Sequence, residues 1–568
     1  MQSFSLPILA SGLLAIAACA QTPVANAPAA GALLIPPLSL PLSPGWQHDA
    51  VFYLAFVRSF ADSTTGPRAG DGVGDIRGMI ERLDYLNDGD PATTTDLGVT
   101  GLWLLPVAQS PSYHGYDTTD YVAVDDEYGS ADDFRELVAA CHERGIRVLV
   151  DLVLNHCSNQ HPWFLKSMDP ASDKRDWFVW ADEAPDQKGP WGQPAWHTLG
   201  SIGHEPASPE QADDAFYGVF WHGMPDLNYH NPEVTAQMHR VADFWLTEMG
   251  VDGFRLDAIM YLLENGDTLK NDPATIAWFR DFSAHVQRVK PGAFMVGEVW
   301  DSSEQIARYI DPTQTEPPAL DSCFDFPFAY AVMEGVRDGN ADRIRKDLAR
   351  SFEMHADRAS SFLSNHDMDR SMPFMGNSVP KAKAAATLLL TGTGVPFVYY
   401  GEELGMTGQG RHENLRTPMP WTTDHQTGGF TTGEPWQPLN RDMTSVSVQA
   451  QADDDTSLLS HYRKLIGLRD GHDALRRGDL TMTTPHGTRV VAYVRTFEGQ
   501  RLLVIVNTTD NAVTDFRVDA SDLGLSPTAE RADLLAGAAI NKVLPNHPDL
   551  WRPISSIRPN ASHVIALD

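Results

Sequence analysis

The sequence predicts an α/β fold in which short buried strands alternate with amphipathic helices around a parallel sheet, interrupted by one insertion and followed by a small antiparallel β-sandwich. Three observations predict it. From Asp49 onward, apolar runs of strand length alternate with stretches of helical periodicity. Between His156 and Met224 that alternation lapses into a segment rich in Trp, Pro and charge, and from about residue 480 the texture turns to β-branched alternation.

Taken in order, residues 1–19 have the form of an export signal: the apolar run Leu6 to Ala18 is too short to span a bilayer and ends in small residues. Ile16-Ala17-Ala18-Cys19 resembles a bacterial lipobox, in which Cys19 would carry the lipid; Ala18-Cys19-Ala20 would also serve as an ordinary cleavage site before Gln21. Residues 20–45, rich in Pro and Ala with no amphipathic period, make a tether. The βα body follows in two parts, 46–156 and 224–480, around an inserted subdomain at 157–223 that includes Trp177, Trp180, Trp191 and Trp196.

Within the body, Val99 to Pro106 is a strand run, Ala131 to Glu143 a helix, and Ile146 to Leu154 the next run, with Gly145 where a helix C-cap belongs. The near-continuous apolar stretch Val148 to Leu154 suits a strand covered on both faces. Further runs are Gly253 to Ile259, Phe294 to Val299, Ser361 to Ser364 and Pro396 to Tyr400, with a helical stretch from Leu458 to Leu475. Residues 481–568, with Val490 to Val494 and Leu502 to Val506, form the sandwich.

A chain of 568 residues holds more than one domain, and its net charge of −32 repels phosphate backbones and anionic surfaces, which excludes nucleic acid as a partner. Membrane contact is expected only through a lipid on Cys19, and the chain is expected to act as a monomer. Cys141, Cys157 and Cys323 are too few and too scattered for a disulfide framework or a zinc site. Cys141, at helical spacing from Phe134, Leu137 and Val138, is read as a small buried hydrophobe.

The chemistry-bearing residues cluster at strand ends. In Gly253-Phe254-Arg255-Leu256-Asp257-Ala258, Arg255 and Asp257 lie two apart and share a face, so the arginine should favour an ionised, nucleophilic carboxylate. Taken alone, the two residues read first as a buried structural pair. Gly297-Glu298-Val299-Trp300 sets an acid beside a large apolar ring, an environment that raises a carboxyl pKa and suits a general acid. Phe362 to Asp367 ends another run in Asn365-His366-Asp367. Polar residues gathered after several buried strands define one shared catalytic face in a (β/α) barrel.

Together these segments resemble the α-amylase family of glycoside hydrolases over nearly the whole mature chain. Asp151-Leu152-Val153-Leu154-Asn155-His156 is similar to the family's first signature region, Gly253 to Asp257 to its second, Glu298 to its third and Asn365-His366-Asp367 to its fourth. Gly98 to Pro106, Met224-Pro225-Asp226-Leu227-Asn228 and Gly394 to Glu403 resemble its auxiliary regions. The resemblance implies a (β/α)8 TIM barrel with the insertion after the third strand, and an α-glucan oligosaccharide substrate. It also implies double displacement, with Asp257 as nucleophile, Glu298 as acid/base and Asp367 as the third carboxylate. His156, Arg255 and His366 would surround the sugar, Tyr116 of Tyr113-His114-Gly115-Tyr116-Asp117 would stack beneath it, with His114 and Asp117 beside it, and Arg370 would be a further contact.

Met224 to Asn228 resembles a subgroup between oligo-1,6-glucosidases and neopullulanases, and Ala258 resembles α-1,4-specific members. These imply an exported bacterial amylase, periplasmic or at the cell surface; the alternatives are an exo-glucosidase, a transglycosylase, or a non-catalytic glucan-binding relative. Asp62 and Asp71-Gly72-Val73-Gly74-Asp75 supply oxygen ligands at loop spacing suited to calcium, through Asp62, Asp71, Val73 and Asp75, with an acidic turn as the alternative. The resemblance adds Asn155 as holder of a second ion. No organic cofactor is expected.

Overall fold

The computed structural model describes residues 42–204, 214–264, 268–310, 316–440, 442–483, 489–544, 546–548 and 551–567. Cys19, the export signal and most of the tether lie outside them. Eight parallel strands form a closed barrel: β1 (Phe52–Ala55), β2 (Gly101–Leu104), β3 (Arg147–Leu152), β4 (Gly253–Leu256), β5 (Phe294–Gly297), β6 (Ser322–Phe324), β7 (Ala359–Ser361) and β8 (Val395–Tyr399). Each pairs with its neighbours in chain order, and β8 closes onto β1.

These strands are buried along nearly their whole length, because helices cover the outside and side chains fill the inside. The helix Ala131–Glu143 starts at a capping box, in which Ser130 and Asp133 satisfy each other's backbone N–H groups. It turns into β3 through Gly145 at φ 74°, a left-handed conformation open to glycine. Gly253 opens β4 for a different reason: a Cβ there would run into the carbonyl of Phe294 on β5.

The elements differ from sequence expectation in three places. β7 is Ala359–Ser361 instead of Ser361 to Ser364, and β6 is a strand that apolar patterning does not reveal. Both are short and carry serines, which are buried by bonding to one another: the Ser322 and Ser360 hydroxyls are 2.6 Å apart. The helical stretch 458–475 is two helices, Leu458–Asp470 and Asp473–Arg477, parted at Gly471, a weak helix former.

Between β3 and β4 the insertion folds a short helix, Pro162–Ser167, and a three-stranded antiparallel sheet in which Ala215–Tyr217 lies between Trp180–Ala181 and Trp196–Thr198. At the C-terminus a five-stranded antiparallel sheet takes β9 (Asp479–Met482), β10 (Val490–Phe497), β11 (Gln500–Asn507), β12 (Ala532–Asp533) and β13 (Ser562–Ala566) in the order β9-β10-β11-β13-β12. Period two divides its faces. Val491, Tyr493, Val504 and Val506 pack into the core shared with the barrel, whereas Val490, Ala492, Leu503 and Ile505 join a second core with Trp551 and Ile557. Cys141, Cys157 and Cys323 are buried free thiols. Among the described residues, no helix is long and apolar enough to cross a membrane.

Candidate active site

Strand register brings the acids together. Leu152 of β3, Leu256 of β4 and Gly297 of β5 lie level, so the residues that follow leave the barrel at the same height. Asp257 donates its N–H to the Leu152 carbonyl, and Glu298 donates to Leu256, which continues the ladder one step and fixes both side chains at the C-terminal mouth. A cavity of about 600 Å³ opens there, lined by Asp257, Glu298, Asp367, Tyr116 and His156 among others.

Arg255 organises three carboxylates. Its Nη1 donates to Asp257 Oδ1 at 2.6 Å and to Asp151 at 2.9 and 3.0 Å, and its Nη2 donates to Glu298 Oε2 at 2.7 Å. Glu298 Oε2 also accepts the N–H of Ala258 at 3.0 Å. Ala258 sits at φ 47°, an uncommon conformation for a residue with a Cβ, and this turn aims its N–H at the acid.

The sequence led us to expect a lowered Asp257 pKa, and the structure reverses that direction. Burial raises it, Arg255 opposes, and Glu298 and Asp151 raise it further, so the carboxyl stands well above the usual range. Burial likewise pushes Asp151 up to about 6 against Arg255 and the Tyr116 hydroxyl. One guanidinium serves three carboxylates, two of them buried, which favours retention of a proton by the group.

Asp367 has the opposite surroundings. Burial would raise it, but His366 at 2.9 Å, Arg416 at 2.9 Å and His412 at 3.3 Å hold it well below the usual carboxylate range. His366 is itself lowered to about 4, chiefly by burial, so it is a neutral donor to Asp367 at working pH. Tyr116 links the two groups: its hydroxyl donates to Asp151 at 3.0 Å and lies 2.6 Å from His366 Nε2, with the two rings parallel within 5°. His156 is buried at the cavity wall, lowered to about 3 by desolvation, and neither ring nitrogen makes a well-formed hydrogen bond. His114 lines the cavity and accepts the Tyr116 N–H on Nδ1 at 3.1 Å.

Two expected sugar contacts are placed elsewhere. Arg370 is buried, packed on Tyr399 and Tyr400 at 4.3 and 4.7 Å, and donates to the carbonyls of Leu415 and Tyr400 at 2.9 and 2.7 Å. It braces the loop after β8 and does not line the cavity. Asp117 is also buried and accepts from the Ser110 and Ser112 hydroxyls, which tie down the loop carrying Tyr116.

The residues expected to hold calcium are engaged in hydrogen bonds within the protein. Both Asp62 oxygens are occupied, by the Gly70 N–H at 3.1 Å and the Gly72 N–H at 2.9 Å. Asp75 caps the following helix through Gly78 and accepts from Ser63, whereas Asp71 accepts from the N–H of Val73 in its own turn. Asn155 Nδ2 donates to Asp226 Oδ2 at 3.1 Å, leaving one buried amide oxygen without a partner. Among the described residues, no three acidic, histidine or cysteine side chains converge on a metal position.

Sequence reasoning missed Asp151, His412 and Arg416 as site residues. Asp151 had a signal, an acid inside an otherwise apolar strand. His412 and Arg416 come from a loop after β8, where no periodicity points toward Asp367. Most of the aromatic wall, with Tyr113, Trp191, Phe220, Trp221 and Tyr261, went equally unassigned.

Register-matched acids around an arginine at the C-terminal mouth of a closed eight-stranded barrel define a barrel glycosidase. Residues 54–478 match the family described as Alpha amylase, catalytic domain. The chain is 34% identical over 468 residues to Alpha-amylase 3 of Dictyoglomus thermophilum, covering 81% of this chain and 85% of that protein. It is 31% identical over 535 residues to the oligo-1,6-glucosidase of Parageobacillus thermoglucosidasius, covering 81% and 90%. Among solved structures, the α-amylase from H. orenii superposes with a TM-score of 0.76 at 36% identity, covering 91% of this chain and 99% of that one. The chain belongs to the α-amylase family of glycoside hydrolases.

Proposed function

We propose that this protein cleaves α-1,4-glucosidic bonds of maltooligosaccharides with retention of configuration. One observation carries the reading: Asp257 and Glu298, at the ends of adjacent strands, bond the two arms of a single guanidinium at 2.6 and 2.7 Å. A shared guanidinium keeps the two carboxyl groups close, and double displacement needs them about 5–5.5 Å apart, so that one carboxylate reaches the anomeric carbon while its partner reaches the glycosidic oxygen.

In the first step the proton retained by the acid group passes through Glu298 to the glycosidic oxygen. The bond from that oxygen to the anomeric carbon breaks, Asp257 forms the new bond to carbon, and the shortened glucan leaves as an alcohol. In the second step Glu298, now a carboxylate, takes a proton from water; the hydroxide oxygen bonds the anomeric carbon and Asp257 departs ionised. Arg255 spreads its charge over both carboxylates as negative charge moves between them. Asp367, held as an anion, accepts hydrogen bonds from the hydroxyls of the reacting sugar, and Tyr116 offers its ring to that sugar's apolar face.

Preference for α-1,4 bonds rests on the resemblance of Ala258 to α-1,4-specific members, on the departure of Tyr113-His114-Gly115-Tyr116-Asp117 from the pattern of the family's small-substrate glucosidases, and on a relative named as an α-amylase. The same reading has the enzyme exported and lipid-anchored through Cys19, meeting soluble dextrins outside the cytoplasm. The test is product analysis by NMR and chromatography on maltoheptaose, isomaltose, pullulan and cyclodextrins. Maltooligosaccharides released first as the α-anomer are expected. β-anomers would overturn retention, glucose alone would indicate an exo-glucosidase, and no products would indicate a glucan-binding protein.

A further inference from the structure

The catalytic acids leave the aromatic part of the cavity wall unexplained, and one ring in it differs from the rest. Trp191 is 75% exposed, against 42% for Trp221 and 37% for Trp300, the other indoles of the wall. A large apolar ring held in water is an informative exception to burial.

The ring is held there by construction. Gly189-Pro190-Trp191-Gly192 is a tight turn closed by the Gly192 N–H donating to the Gly189 carbonyl at 3.0 Å, with Pro190 presetting the turn at its second position. Gln193 fastens this tip to the cavity wall. Its Oε1 accepts the Trp191 N–H at 2.9 Å, and its Nε2 donates to the carbonyls of Val219 and Phe220 at 2.8 and 3.3 Å. A Cβ on Gly189 would collide with both Gln193 and the Val219 carbonyl, so the turn sits against that wall without slack. The indole then leans on Phe220 at 5.5 Å, and Phe220 meets His156 at 5.4 Å. Trp191 therefore stands one ring beyond the side chains grouped at the reacting bond.

A rigid exposed indole continuous with a sugar-binding wall matches the apolar C–H face of a neutral pyranose. We infer that Trp191 is a platform for a glucosyl unit outside the pair flanking the cleaved bond, and that it sets a preference for longer chains. This rests on the glucan-hydrolase reading above.

The test compares wild type, Trp191→Ala and Trp191→Tyr, each as the full chain, on maltotriose and maltoheptaose. The ratio of kcat/KM for maltoheptaose over maltotriose is expected to fall about tenfold in Trp191→Ala, carried by KM, and to recover largely in Trp191→Tyr. An unchanged ratio, or equal losses on both substrates, would overturn the platform. Calorimetric titration of the Glu298→Gln protein with maltoheptaose separates this from the catalytic reading. Adding Trp191→Ala should weaken binding about tenfold, and unchanged affinity would overturn the platform. Binding that depends on Trp191, in a protein whose wild type hydrolyses nothing, would support the platform and overturn the hydrolase.

Discussion

Two groups of charges share one cavity and are balanced in opposite ways. Around Arg255, three carboxylates compete for a single cation; around Asp367, one carboxylate meets Arg416, His412 and His366. Burial raises the carboxyl pKa in both places, so it cannot be what distinguishes them. The number of carboxylates sharing each cation does, three on Arg255 against one on Arg416, with two imidazoles adding polar partners to the second: Asp257 stands well above the usual carboxylate range, whereas Asp367 stands well below it. The first group can hold a proton and deliver it. The second remains an anion and can only accept hydrogen bonds, which suits a residue that grips sugar hydroxyls throughout the cycle.

The largest effect should come from removing the proton carrier. Glu298→Gln keeps the shape and the bonds to Arg255 and Ala258 but loses the acid, and kcat on maltoheptaose should fall by about 100- to 10,000-fold. Near-wild-type turnover would assign the proton to another group and dissolve the contrast. Removing the shared cation comes next. Arg255→Met leaves Asp151, Asp257 and Glu298 facing one another in the interior, at a cost of about 3–5 kcal/mol at neutral pH. Because the acids can then take protons, part of that loss should be recovered in urea titrations at pH 5. An equal loss at pH 5 and pH 8 would show that packing, and not charge balance, is what Arg255 provides.

These two groups were not equally legible in the sequence. Asp257 and Glu298 end apolar runs, and once the runs are parallel neighbours the ladder fixes them side by side; pattern plus register is enough. The partners of Asp367 come from irregular chain: Arg416 lies in a loop with no periodicity, and the contact exists only because β8 delivers that loop to the mouth. Arg370 was misread for the converse reason. Its neighbours Asn365 to Asp367 and Asp369 are polar, which suggests a surface, but Tyr399, at the end of β8, and Tyr400 pack on its guanidinium. β6 escaped notice and β7 was placed too late in the chain because their buried serines satisfy one another, and hydroxyl pairing leaves no mark in apolar patterning. The barrel itself, the insertion and the C-terminal sheet were legible because each has a composition of its own.

Arg416→Gln sharpens the comparison from the other side. A carboxylate with a depressed pKa contributes stability that is full above its unfolded value of about 3.9 and is lost as pH falls through the folded value. Without Arg416 the folded value rises toward the unfolded one, so the contribution shrinks and its loss begins at higher pH. The expected cost is about 1.5–3 kcal/mol at neutral pH, and the acid limb of kcat/KM should move upward. An unmoved acid limb would mean that His366 and His412 suffice to hold the anion.

The smallest effect concerns the residue that touches both groups. Tyr116→Phe keeps the ring that stacks on His366 and removes the hydroxyl between His366 and Asp151, which should cost about 1 kcal/mol of stability and less than tenfold in kcat. Its value lies in the pH dependence. Asp151 has a folded pKa of about 6, above an unfolded value of about 3.9, so the folded state binds more protons in that interval and stability falls as pH rises through it. The Tyr116 hydroxyl opposes this shift by favouring the charged carboxylate. In Tyr116→Phe the folded value should climb further, and the decline in stability should extend to higher pH than in wild type. If urea titrations between pH 4 and 8 give parallel curves for the two proteins, the hydroxyl is not coupled to Asp151, and the acid group and the Asp367 group titrate independently.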